Sequence, residues 1–560
     1  MRYHPIASAS LVTTLSIWGA AAGGAPGWKA SGKGGAVAAG GAKAVLAGIA
    51  VLKAGGNAAD AAAAAILALS VTDYGPFCIG GEVPLLIYDA KSKEVKVLCG
   101  QGRAPLDAEA TAWFLAHGIP TSADKANLKS ACVPAVIDLC ATLLRAYGTM
   151  RYEDVVAPTL AILDEGRRKW HPNLAGTLRK LVAAERRFPR DRSKGLRAVA
   201  DRFYRSDIAD ELDTWYRTHG GFLRKKDLAA HVTRVEDPVS VTYRGYTVYK
   251  CGPWTQGPAL CQTLRLLEGF DLKSMGAGSA DYVHVVCEAM KLALADRDQY
   301  YADPLFERVP LRQLLSDAYT RLRRPLIDMR HASLKIRPGD PLAGKALAKP
   351  DIRKAPAALG RDTTTCVVAD RWGNVVAATP SGWGSKAGAG GSTGVTHGTR
   401  LISLNTWKGH PNCVQPGKRP RITLTPTLVT KGGKPILAIS VAGGDLQDQT
   451  TLNLLLEFVE FGALPAEAVT APRFATGHHV GSFSQTPPRR GSLSVHRGFD
   501  KKVRDDLRRR GHRLSVTRSG IGTPVMLAID PKSGTIHVAG DPATRRHAAA
   551  LDLPASPPAK

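Results

Sequence analysis

No two of the nine cysteines in this 560-residue chain stand in a CxxC spacing, which argues against a zinc ribbon or a thioredoxin-like redox centre. Their odd number leaves at least one without an intrachain partner, and they read as scattered, mostly buried small apolar residues. No internal repeat recurs at a fixed period, so neither a solenoid nor a fibre is indicated. Beyond the N-terminal segment no stretch is long and apolar enough to span a bilayer. The fifteen histidines show no ligand spacing, so no metal or organic cofactor is expected; the adjacent pair His478-His479 reads as solvent-facing. Acidic residues are outnumbered 48 to 75, giving a net charge of +27 that is spread along the chain rather than held in a tail. The cluster Lys501, Lys502, Arg504, Arg508, Arg509 and Arg510 is interleaved with Asp505 and Asp506 and has no aromatic residue for base stacking. It reads as an exposed helix on a solvated basic surface, and no nucleic-acid partner is expected.

What is present is the composition of a globular protein, 44% hydrophobic and 22% charged. Arg2, the apolar run from Ile6 to Ala22 and the small residues at Ala20 to Ala22 lay out a secretory signal over residues 1–25, implying export to the periplasm or outside. Thr13, Thr14 and Ser16 weaken its apolar core. After a Gly-rich lead from Ser31 to Gly41, helices are predicted over Ala42 to Lys53 and Ala58 to Ser70. Strands follow at Val83 to Tyr88 and Val95 to Cys99, then helices at Pro134 to Arg145 and Tyr152 to Asp164. The middle third holds a strand from Val239 to Val248 and helices at Leu260 to Leu267 and Asp281 to Tyr301. Later strands fall at Arg421 to Val429, Ile436 to Val441, Pro524 to Ile529 and Thr535 to Ala539, with a helix from Leu446 to Phe461. Strands apolar on both faces suggest sheets covered on both sides by helices.

From about Ser333 to Gly360 a Pro-rich stretch with little periodicity forms a linker. Two β-rich runs follow, Thr363 to Ala369 and Val375 to Pro380, joined by Asp370-Arg371-Trp372-Gly373-Asn374, a hairpin signal. Taking Trp372 as its centre pairs Asp370 with Asn374 and carries on to Thr363 opposite Ser381, where Cβ atoms lie about 4.5–5.5 Å apart. A threonine hydroxyl needs a base within hydrogen-bond reach. A cut between Asp362 and Thr363 frees an α-amine whose ordinary pKa is about 7.7–8.0, so nucleophile and base share one residue. Val441-Ala442-Gly443-Gly444-Asp445 ends a strand and opens a helix, where backbone N–H groups point outward; Asp445 reads most simply as the N-cap.

DTTTCVVADRWGNVVAATPS resembles the start of the small subunit of γ-glutamyltranspeptidases. AGGNAADAAAAAILAL, YRGYTVYKCGPWTQGPAL, EAMKLALADRDQYYADP, PGKRPRITLTPTLV and VAGGDLQDQ agree with that family in order along nearly the whole chain after the signal. The resemblance implies an α+β fold, the four-layer αββα sandwich of the N-terminal-nucleophile hydrolases. A large-subunit region, 26–362, and a small-subunit region, 363–560, would form one intertwined unit. It implies Thr363 as nucleophile, Ser381 as its orienting hydroxyl and Gly443 and Gly444 as the oxyanion hole, with Thr379 and Asp445 as possible substrate contacts.

The same resemblance weakens where the family grips a γ-glutamyl zwitterion. The carboxylate-binding arginine falls at Gln101, with Arg103 two residues on, either restoring carboxylate binding or simply a surface arginine. The paired serines become Ile422 and Thr423, of which Thr423 keeps a hydroxyl for substrate binding; an asparagine aligns with Trp383, and the amine-binding acid falls in the Trp407-Lys408-Gly409 stretch. Thr365 stands where a histidine is usual. The segment after Trp407 is short where many family members carry a lid loop, implying a more open cleft. Three readings remain: cleavage of γ-glutamyl amides such as glutathione with transfer to water or an amine, acylase-like hydrolysis of another amide, or an uncleaved pseudoenzyme binding anions.

Overall fold

The computed structural model describes residues 26–120, 127–346, 363–382, 388–483 and 485–553. The signal segment 1–25, Asp362 and Trp383 lie outside the described residues.

The alanine-rich run folds as its composition dictates. Helix Ala42–Lys53 stops before Gly55 at φ +92°, and Asn57 then opens helix Ala58–Thr72. The Asn57 side chain accepts the N–H of Ala59 and Asp60, while the Asp60 carboxylate accepts the N–H of Asn57 in return, a capping box worth about 1 kcal/mol. With Ala, Ile and Leu on every face, this helix is buried from Ala58 through Val71.

Two seven-stranded sheets follow, each antiparallel throughout. The first runs Lys29–Gly32, Ile536–Gly540, Thr523–Ile529, Lys434–Ala442, Thr427–Lys431, Tyr246–Lys250, Val239–Tyr243. The second runs His547–Leu551, Gly35–Ala39, Cys366–Asp370, Val375–Ala378, Val83–Asp89, Glu94–Gly100, Arg234–Glu236. Strands from before and after residue 363 interleave in both.

Period-two alternation sorts the side chains into layers. From the second sheet, Val37, Ala39, Cys366 and Val368 face a core shared with the helices between Ala42 and Thr218. Ala36, Ala38, Val367 and Ala369 face the other way and meet Leu428, Ala438, Leu527 and Val538 of the first sheet. The far face of the first sheet, with Val248, Val429 and Ile439, is covered by the Pro258–Leu267, Ala280–Tyr300 and Leu446–Phe461 helices. Helix, sheet, sheet, helix is the αββα sandwich. Each sheet therefore has helices on one face only; the apolar second face packs on the partner sheet.

The Gly-rich lead holds two strands, Lys29–Gly32 and Gly35–Ala39, the latter pairing with Cys366–Asp370. The stretch Val239 to Val248 is two strands rather than one, because Arg244 and Gly245 turn at φ +50° and +79°. Residues 421–426 are not strand, which begins at Thr427. Three helices, the basic His171–Arg186 and Arg192–Arg205 and the acidic Asp207–Thr218, complete the outer layer. The basic cluster at 501–510 is an exposed helix, Lys501–Arg509, with Leu507 buried. Among the described residues no helix is long and apolar enough to cross a membrane.

Candidate active site

The hairpin Cys366–Asp370/Val375–Ala378 pairs Cys366 with Ala378 and Ala369 with Val375, symmetric about Trp372, with Gly373 at φ +91°. Asp370 pegs it in place, accepting from Trp372 N, Asn374 N and Nδ2, and from Ala58 N at 2.8 Å. The ladder continues past the strands, since Thr364 N donates to Pro380 O at 2.8 Å. The next pair in that register is Thr363 and Ser381, and both are buried. On its other side Ser381 exchanges two backbone hydrogen bonds with Glu82, at 2.8 and 2.9 Å. Thr363, Ser381 and Glu82 thus form one row across three chain segments. By parity the side chains of Thr363 and Ser381 leave the sheet on the face of Val367 and Ala377, into the seam between the sheets.

Arg400 reaches this row, donating from Nη2 to Ser381 Oγ at 2.6 Å and from Nε to Glu82 Oε1 at 2.5 Å. Gln447, from the first turn of helix Leu446–Phe461, lies 3.4 Å from Thr363 Oγ1. The carbonyls of Val441 and Thr423 flank its amide at 3.1 and 2.9 Å, which assigns the nitrogen to them and the oxygen to Thr363.

From the facing sheet, strand Lys434–Ala442 ends in the glycine turn. Gly443 and Gly444 sit at φ +140° and +60°, conformations that side chains rarely adopt. Their carbonyls accept from Leu446 and Gln447, and neither N–H donates to another described group. The half-exposed Phe483 ring lies over Gly444, 3.0 Å from where a Cβ would be, and 5.6 Å below the Arg400 guanidinium.

Asp445 stands at the N-cap position, but its side chain caps nothing. It accepts instead from Arg297 Nη1 at 2.7 Å, Ser482 Oγ at 2.6 Å and Ser482 N at 2.9 Å. Burial pushes its pKa up, yet Arg297, His479 and the two Ser482 bonds outweigh that and hold it well below the usual carboxylate range. Arg297 is fully buried; it also donates to Asp298 and to the Val480 carbonyl, and Arg421 donates to Asp298. The turn is therefore anchored from behind by ion pairs.

The other sequence candidates fall as follows. Thr423 is buried beside Gln447, and its hydroxyl has no partner among the described residues. Thr379 is buried too, but its hydroxyl meets Ser440 Oγ at 3.0 Å, tying the two sheets together. Arg103 is half-buried near His231 and makes no hydrogen bond to Thr363, Ser381 or the glycine turn among the described residues. Gln101 is spent on structure, donating to Pro420 O at 2.7 Å. Ile422 is fully buried between the sheets. Arg419 makes paired bonds to Asp303, so the basic residues of the KRP stretch are structural.

His478 and His479 are not solvent-facing. Both are buried, His478 accepting from Gly491 N at 2.7 Å and His479 lying against Arg297. Folding also gathers His284, Glu288 and His512, distant in sequence, within reach of one ion. Glu288 is already bound by Lys291 and by Arg337 at 3.1 Å, and His284 and His512 bond to each other at 2.9 Å, so an ion there would have to displace two cations. All nine cysteines are buried thiols, none of them in a disulfide.

Glu82, Arg400, Gln447 and Phe483 were not singled out by the sequence. Gln447 alone carried a signal, its place in VAGGDLQDQ two residues into a helix that opens at the glycine turn.

Comparison with known proteins bears on the family and the fold. The gamma-glutamyltranspeptidase family profile matches residues 44–185 and 162–551. The Escherichia coli glutathione hydrolase proenzyme is 30% identical, covering 91% of this chain and 90% of its own. The solved structure of LmbA2991HD superposes with a TM-score of 0.84 at 33% identity, over 93% of this chain and 99% of that one. Cephalosporin acylase from Bacillus halodurans does so with a TM-score of 0.77 at 26% identity, over 94% and 97%. With profile, length and fold in agreement, the chain belongs to the gamma-glutamyltranspeptidase family.

Proposed function

We infer that this protein is an autoprocessed amidohydrolase and acyltransferase that works through Thr363. In maturation, Thr363 Oγ attacks the Asp362 carbonyl carbon and the Asp362–Thr363 C–N bond breaks as an ester forms. Water then hydrolyses the ester, freeing the Asp362 carboxylate, the Thr363 hydroxyl and the α-amine. In turnover that amine takes the hydroxyl proton while Oγ attacks a substrate amide. Gly443 and Gly444 receive the oxyanion on their outward N–H groups. The leaving amine departs with the relayed proton, and water or an acceptor amine releases the acyl group.

The observation that carries this reading is the meeting of Thr363, Ser381 and the Gln447 amide at the end of the inter-sheet seam, in the strand register that opposes Thr363 to Ser381. The family favours γ-glutamyl amides such as glutathione as donors. Hydrolysis of a different amide, as the acylase relatives' names indicate for them, is favoured by one observation: Gln101 is committed to Pro420 and Ile422 to the core, so neither offers a grip on a zwitterion. A panel of γ-glutamyl anilide, glutathione and simple acyl amides separates the two. Fragments on a denaturing gel, against one band near 59.5 kDa, separate both from an uncleaved anion-binding protein.

A further inference from the structure

We propose that Arg400, held by Glu82, is a positioning residue that aims the Ser381 hydroxyl proton at Thr363. This rests on Thr363 being the attacking group.

A serine hydroxyl has one proton and two lone pairs, whereas a guanidinium can only donate. The 2.6 Å contact from Arg400 Nη2 therefore occupies a Ser381 lone pair, and the Ser381 proton must point away from Arg400. Thr363 is the residue across the ladder. The 364–380 pair is joined by a hydrogen bond, so the next pair, 363–381, falls at a position without ladder bonds, where opposed side chains come closest. A proton directed across that gap meets Thr363 Oγ as an acceptor, while in the uncleaved chain the Thr363 proton is directed to the Gln447 oxygen, a place the α-amine takes once it is freed. The Thr363 oxygen is thereby fixed from two sides. A donor from Ser381 also stabilises the negative charge that develops on Oγ as its proton leaves.

Glu82 supplies the fixed end. Its backbone bonds Ser381 on both sides, and its carboxylate accepts from Arg400 Nε at 2.5 Å. One guanidinium thus spans the carboxylate and the hydroxyl of two directly paired residues. Arg400 is 4% exposed and Glu82 2%, so neither is a loose surface charge. The Phe483 ring on the guanidinium face limits its tilt. Because its charge is matched by Glu82, Arg400 serves here as a directional donor more than as a free cation for an anionic substrate.

The test needs no known substrate, because maturation uses the same hydroxyl. Precursor is made in a cell-free translation mix, and cleavage before Thr363 is followed on denaturing gels. Removing Arg400 alone would strand a buried carboxylate, so Glu82→Gln is combined with Arg400→Met, leaving a neutral pair. The expected result is a folded precursor that cleaves about 10- to 100-fold more slowly, the size of effect that misplacing a reacting group gives. The double variant should lose nothing further when Ser381→Ala is added, since the effect runs through Ser381. On matured enzyme with γ-glutamyl-p-nitroanilide, kcat should fall with KM within about 3-fold. If the double variant does not fold, Arg400→Lys decides: its ammonium keeps Glu82 but stops short of Ser381, and slowed cleavage is expected. Wild-type cleavage rates in folded E82Q/R400M or R400K, or a loss that adds in full to that of S381A, would overturn the proposal. A wild-type chain that never cleaves, or a Thr363→Ala chain that does, would instead overturn the reading of Thr363 on which it rests.

Discussion

Asp445→Asn tests whether the glycine turn is anchored by ion pairs or merely capped. The carboxylate takes three bonds, from Arg297 Nη1 at 2.7 Å, Ser482 Oγ at 2.6 Å and Ser482 N at 2.9 Å. Asparagine keeps the shape but loses the charge, so the Arg297 contact ceases to be an ion pair and drops toward the low end of the charge-assisted range of about 1.5–3 kcal/mol, since only the guanidinium stays ionised. Its amide nitrogen now faces the Ser482 N–H, leaving a buried donor unsatisfied at about 1–3 kcal/mol. Arg297 retains Asp298 and the Val480 carbonyl, which limits the loss to roughly 2–4 kcal/mol. At roughly 2 cal/mol/K of unfolding entropy per residue, a chain of this size shifts about 1 °C per kcal/mol, so Tm should fall by about 2–4 °C. The native pKa lies below the unfolded value, so this stabilisation is present above about pH 4 and lost as pH falls through the native value. The Tm gap between wild type and variant should therefore close only in acid. Since Asp445 follows the two glycines proposed to hold the oxyanion, kcat should fall about 10-fold or more. The assay is Tm by scanning fluorimetry from pH 3 to 7 beside steady-state kinetics. Asp445→Ser, a good N-cap residue, is the discriminating control. If it restores wild-type Tm and kcat, the residue is a simple cap and this reasoning fails.

The packing elsewhere in the molecule sets three further outcomes. Burial pulls His284 down and holds His478 and His512 at about 3, beside Lys291, Arg337 and Arg510 and against Glu288. Their native pKa values lie below the unfolded value of about 6.5, so stability is full above that pH and falls on acidification; His512→Gln should flatten the decline of Tm between pH 6.5 and 4. Gly40→Ala would put a Cβ onto Thr364 Oγ1 and close to Asp73 and Arg546, and should destabilise by about 1–3 kcal/mol and slow cleavage, read by gel and denaturant titration. Because all nine cysteines are buried and none is in a disulfide, Ellman's reagent should find almost no thiols in the native protein and nine after unfolding, with Tm unchanged by reductant.

The hairpin that follows Thr363 was legible because a two-residue period and a Gly turn fix register locally, and Trp372 marks its centre. The glycine turn was legible for a similar reason, as strand end, two glycines and helix start are contiguous. Arg400, Glu82 and Phe483 were not, because each arrives from a separate segment and means nothing until the sheets assemble. Asp445 was misread as a cap since its partners lie 148 and 37 residues away. His478 and His479 carry polar side chains that suggest the surface, yet backbone donors and buried charges satisfy them inside. The outer helices between His171 and Thr218 were hidden by arginines that ride on an otherwise regular apolar stripe of Leu174, Leu178, Leu181, Leu196, Val199 and Phe203.

Mass spectrometry of purified, catalytically active protein tests the central claim most directly. Two fragments should be found, the smaller beginning at Thr363 with a free α-amine. Active material whose Asp362–Thr363 bond is intact would contradict the account.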